Sequence, residues 1–161
     1  MEDINSATKN YKKFLIDAVK SMRIADHMTY VTYPLVNEKR LFIKILEEIY
    51  KTVLNGIKTI INYEEIPKIT DSLLSDSDYI TYFFSKDYQK KYNLTNLQMK
   101  GLREIIGINE KHKKSSVEFV KKDKMVIMTD NLKVEALNIR LIKEHLLLIK
   151  EFLMRISLKI R

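Results

Sequence analysis

Cysteine and tryptophan are absent from this chain, and glycine (three), histidine (three) and proline (two) are scarce. Without cysteine there is no disulfide scaffold, no thiolate metal site and no thiol nucleophile. So few glycines and prolines leave too few turns for an all-β fold. No two glycines stand close enough for a phosphate-binding loop or a dinucleotide turn, and no serine sits in a Gly-x-Ser-x-Gly frame. His27, His112 and His145 form no His-Glu-x-x-His pattern and lie at no ligand spacing from carboxylates. No metal and no cofactor is therefore expected. No apolar run approaches the roughly 18 residues of a membrane span. The polar opening MEDINSATKN does not read as a secretory signal. The expectation is a cytoplasmic protein without a membrane partner.

Apolar residues make up 45% of the chain and charged residues 31%, enough for a packed core inside a solvated exterior. A chain of 161 residues is expected to form one domain, residues 1–161, burying roughly two-thirds of its unfolded surface. Its apolar residues recur with helical period. Tyr11, Phe14, Leu15, Ala18, Val19, Met22 and Ala25 predict a helix over residues 6–30. Pro34 breaks the next stretch and is expected to push Tyr33 out of helical geometry. Asn37 then reads as the N-cap of a second long helix, 37–63, which Pro67 prevents from continuing. Ile80, Phe83, Phe84 and Tyr88 form a shorter stripe. Thr95 and Gln98 have capping-box spacing ahead of a helix at 95–112. A last stripe predicts a helix over 137–158. The fold class expected is all-α: an antiparallel bundle of four to five helices, with one short extended segment near 124–129.

Charge is distributed unevenly. Residues 1–80 hold 11 basic and 12 acidic side chains; residues 81–161 hold 18 and 9. The whole net charge of +8 thus belongs to the second half, the usual footprint of a surface facing a polyanion. Six lysines (Lys111, Lys113, Lys114, Lys121, Lys122 and Lys124) fall within 14 residues. Lysine is a flexible point charge suited to phosphates but not to reading bases. Ser115 and Ser116 could donate to phosphate oxygens, with Ser115 and Glu118 spaced to cap a single helical turn whose amides would point the same way. The segment therefore reads as a basic loop for RNA or another polyanion. The bland alternatives are charges that keep Val117, Phe119, Val120 and MVIMT from aggregating, or a structural subunit whose lysines scatter in space.

Two titratable pairs could carry chemistry. Asp26 beside His27 could orient a base, or form a surface pair near a helix C-terminus. The stretch RLIKEH places Arg140 five positions before His145. This Arg-x4-His spacing resembles the motif of HEPN-domain ribonucleases. That resemblance implies Arg140 and His145 as catalytic residues for metal-independent RNA cleavage at a dimer interface. There, histidine would shuttle the 2′-hydroxyl proton while arginine stabilises the phosphorane charge. On a continuous helix, however, the two side chains stand about 140° apart. Arg140 is then expected to pair with Glu144, with His145 at the margin of the apolar stripe. Wide apolar stripes on the long helices also lead to the expectation of a homodimer.

The segments ADHMTYVTYPLVNEKRLF (residues 25–42) and HKKSSVEFVKKDKMVIM (residues 112–128) resemble those of a family of small, uncharacterised archaeal helical proteins. The resemblance implies an archaeal, cytoplasmic, mostly helical protein and brings no activity with it.

Overall fold

The computed structural model describes the backbone of residues 2–160 and the side chains of residues 10–160. The chain is predominantly helical, and its architecture is organised around one helix. Helix α3 (Leu41–Glu64) buries thirteen residues, from Phe42 to Asn62, distributed around most of its circumference. A helix that is apolar nearly all round must be covered on several sides. The first cover is α1 (Glu2–His27). It runs antiparallel to α3, as the ring contacts at the two ends show: Tyr11 with Tyr63 at 5.2 Å and Tyr33 with Phe42 at 4.9 Å. Ala18 and Ala25 are fully buried there.

The joint between these helices differs from the sequence expectation. A π-helical turn, Met28–Thr32, continues α1 directly into α2 (Tyr33–Val36). Tyr33 keeps helical dihedrals (φ −60°, ψ −46°) although Pro34 follows it, against the usual preference of a residue before proline. The widened turn beneath it takes up the ring. The real break comes at Asn37, in the left-handed region with φ 49°. Asn37 therefore closes α2 as its C-cap and does not open α3; asparagine is among the few non-glycine residues that occupy this region readily.

Beyond α3, Pro67 opens the short α4 (Pro67–Thr70). Helix α5 (Asp76–Ser85) is capped reciprocally by Ser75 and Asp78. Tyr88 on α6 (Tyr88–Lys91) and Tyr92 just after it donate to Glu65 and Glu64 at 2.6 and 2.8 Å, tying this segment to the end of α3. Helix α7 (Asn96–Lys114) begins with the Thr95–Gln98 capping box expected from the sequence, both of its bonds being present at 3.0 and 2.9 Å. Helix α8 (Ile139–Lys159) is N-capped by Asn138. It runs antiparallel to α7: Gln98 bonds Glu151, and Gly101 lies against Leu148.

A plain bundle of four to five helices is not what forms. Between α7 and α8 the chain builds a three-stranded antiparallel sheet, ordered β1 (Ser115–Lys121), β2 (Lys124–Thr129), β3 (Val134–Leu137). The extended segment expected near 124–129 is its central strand. The sheet is peripheral, and it joins the core through Met125, Ile127 and Leu137. No helix among the described residues is long and apolar enough to cross a membrane.

The glycines allow a paired test of this packing. A Cβ at Gly56 would stand 2.5 Å from the buried Phe152 ring, whereas one at Gly107 would meet nothing within 4 Å. Gly56→Ala is expected to cost about 1–3 kcal/mol through overpacking. Gly107→Ala is expected to gain about 0.5–1 kcal/mol from helix propensity. Urea unfolding of the two variants should move the midpoint in opposite directions.

Candidate functional site

The lysine-rich segment is a hairpin, not a loop, and its strands divide the lysines into two groups. Lys111, Lys113 and Lys114 occupy the last turn of α7, where cations interact favourably with the helix dipole. Lys121, Lys122 and Lys124 stand at the far tip, where Lys121 and Lys124 are register partners across the turn Lys122–Asp123. The length of β1 separates the groups by about 20 Å. Ser115 and Ser116 open β1, so no helix starts there and no helix N-terminal amides are offered to an anion. Ser115 instead donates to Glu118 at 2.9 Å.

Partnering distinguishes these lysines further. Lys111 is tied to Glu135 on β3 at 2.5 Å, and Lys113 lies 5.3 Å from the centre of the Tyr50 ring. Lys114 borders a surface groove shared with Glu110, Asp130, Asn131 and Lys133. Lys121, Lys122 and Lys124 are all exposed, and none makes a salt bridge among the described residues. The tip carries two local costs: like charges directly opposed across strands, and a lysine at φ 57°. The pairing of Met125 with Leu137 also brings the tip beside the first turn of α8. There Arg140 is 87% exposed and bonded at 3.2 Å to Glu144.

A histidine clasp holds the base of the hairpin. One ring nitrogen of His112, Nδ1, meets Glu118 of β1, while Nε2 meets Glu47 of α3 at 3.1 Å. A neutral imidazole has one N–H and cannot donate to both carboxylates; the imidazolium can. Burial opposes the charged ring, but the two carboxylates outweigh it and raise His112 above its ordinary 6.5. The sequence held no local signal for this site, because Glu47 lies 65 residues away.

The two candidate catalytic pairs are not assembled. Arg140 points to solvent on Glu144, as its helical position requires. His145 is 4% exposed and faces Glu104 of α7 from 4.0 Å. The chain thus does not bring Arg140 and His145 to one site. Asp26 pairs with Lys150, and His27 Nδ1 lies 3.5 Å from the Thr32 hydroxyl, so these neighbours form no dyad. No family model, curated protein or solved structure matches this chain.

The clasp makes stability depend on pH with a definite sign. A group whose folded pKa is raised stabilises fully below its unfolded value, here 6.5, and loses that contribution as pH rises through the folded value. His112→Gln is therefore expected to destabilise by about 1–2 kcal/mol near pH 6 and by distinctly less at pH 9. Urea unfolding of both proteins at the two pH values checks this; a gap independent of pH would show that the ring is not held charged.

Proposed function

We propose that this protein is a non-catalytic module that contacts a polyanion, RNA in the first place, through the lysine-tipped hairpin and the adjacent first turn of α8. The supporting observation is the tip itself. Lys121, Lys122 and Lys124 are exposed, stand together at one turn and make no salt bridge among the described residues. Lys121 and Lys124 oppose each other across a turn that holds Lys122 and Asp123, and a phosphate backbone relieves the repulsion between the paired lysines. Val117 and Val120, 48% and 39% exposed, add apolar area on the two opposite faces of β1. The mechanism is phosphate neutralisation with counterion release, without base reading.

A salt series with labelled single-stranded RNA tests the reading. The variant Lys121→Ala/Lys122→Ala/Lys124→Ala is expected to bind more weakly and to lower the log–log salt slope by about two. Lys113→Ala/Lys114→Ala, 20 Å or so away along the strand, should have the smaller effect. Absence of binding by wild type at low salt, or equal curves for wild type and the tip variant, sinks the proposal.

The same reading includes a homodimer formed through α1. Ile16 and Ile24 are 67% and 38% exposed on its outer face, beside Leu15, Val19 and Met28. Antiparallel pairing of two α1 helices about Lys20 sets Ile16 opposite the partner's Ile24 and Asp17 opposite the partner's Arg23, a self-complementary match for a two-fold interface. Light scattering should give a dimer mass that Ile16→Glu converts to a monomer; a monomer for the wild type at high concentration counts against it.

A further inference from the structure

The lysine segment supplies only Phe119 for stacking on a base, but the fold brings a second aromatic ring to the basic face from the first helix. Tyr30 lies in the π-helical turn Met28–Thr32 that continues α1. Such turns recur at functional sites. Tyr30 is 51% exposed, although Thr29 before it is buried and donates its hydroxyl to the Ala25 carbonyl at 2.7 Å. Two ammonium groups of α8 stand over the Tyr30 ring: Lys143 Nζ at 5.4 Å and Lys150 Nζ at 5.7 Å from its centre. These cations continue the hairpin tip. Lys124 precedes Met125, whose strand partner Leu137 leads into α8. Arg140 follows in the first turn of that helix, 87% exposed. Lys143 comes next, about 60° round and about 4.5 Å further along. Lys124, Arg140, Lys143 and the Tyr30 ring thus follow one another across one surface.

We infer that Tyr30 is a stacking platform for one base of a single-stranded RNA whose backbone runs from the hairpin tip past Arg140 to Lys143. The inference rests on the polyanion contact proposed above and adds what that contact lacks, a group that tells a nucleic acid from other polyanions. Charge alone attracts phosphates of every kind. Proteins that hold single strands combine a cationic track for the backbone with aromatic rings on which bases stack. Both parts stand here within the first turns of α8. A phenol ring stacks on any base, so base identity is not read. It needs a base free of its own stack, so a duplex does not fit. The ring stays half exposed under its two lysines. Their stems are flexible, so the ammonium groups can pass from the ring to the phosphates flanking a stacked base. Lys143 is the freer of the two: it makes no salt bridge among the described residues, whereas Lys150 is paired with Asp26. Asp26 and Glu144, the carboxylates next to this track, are already held by Lys150 and Arg140.

The test is binding of short labelled poly(A) and of inorganic polyphosphate to the full chain, side by side at low salt. Tyr30→Ala is expected to weaken poly(A) binding at least fivefold, the lower end of what one stacked base contributes, and to leave polyphosphate binding unchanged. Tyr30→Phe keeps the ring and should match wild type on both ligands. The chain has no tryptophan, so Tyr30→Trp introduces a single fluorophore, whose emission poly(A) should quench and polyphosphate should not. Duplex RNA should bind more weakly than poly(A). Lys121→Ala/Lys122→Ala/Lys124→Ala, by contrast, should weaken both poly(A) and polyphosphate, which separates the stacking from the charged contact. Undiminished poly(A) affinity in Tyr30→Ala, an equal loss on polyphosphate, an unquenched tryptophan at saturation, or equal affinity for the duplex overturns the stacking inference and leaves the charged contact standing. No binding of either ligand by wild type overturns both.

Discussion

The constraint on which this structure depends is the apolarity of α3. Ile45, Leu46, Ile49, Val53, Ile57, Ile60 and Ile61 are fully buried, and they cannot be covered from one side. Helix α1 takes one flank, α8 another, and α7 and α5 the remainder. Close approach of α8 is possible because Gly56 leaves room for Phe152. The buried threonines conform to the same demand. Thr52 and Thr59 return their hydroxyls to Glu48 and Asn55 carbonyls at 2.9 and 2.7 Å, so polar atoms on the central helix are satisfied without a partner helix.

Covering α3 leaves α7 and α8 antiparallel, with their near ends close together, and this has consequences for chemistry. The connection between those ends is the hairpin, whose base is clasped to α3 by His112 through Glu47 and whose tip is free of the core. A rigid base and an exposed tip suit an element that presents charge outward. The same helix pair encloses His145, carrying it away from Arg140 and toward Glu104. One packing decision thus separates two residues five positions apart and joins two residues 41 positions apart along the chain.

The long helices were legible because their apolar positions follow a 3.6-residue period over five or more turns, and the Thr95–Gln98 box was legible because capping is local. The joint was misread at Pro34 and Asn37 for a physical reason. Proline is compatible with the first turn of a helix, and asparagine serves both as an N-cap and in the left-handed region, so neither residue fixes a boundary alone. The sheet was missed because its turn is Lys122–Asp123, lacking the glycine or asparagine that marks a two-residue hairpin. Strand β3 has only four residues, VEAL, too few to show alternation. Of the site, the lysines were visible as residues; their division between hairpin base and tip was not.

By itself the sequence determined a mostly helical chain, a charge excess confined to its second half, and the surface position of Arg140 on Glu144, because these follow from local periodicity, composition and i,i+4 geometry. The tertiary structure decided which lysines stand together, that His112 joins Glu47 to Glu118, and that buried His145 meets Glu104. Each of those depends on distances between segments remote in sequence. Such distances are set by how α7, β1 and α8 pack around α3, and no local pattern encodes them.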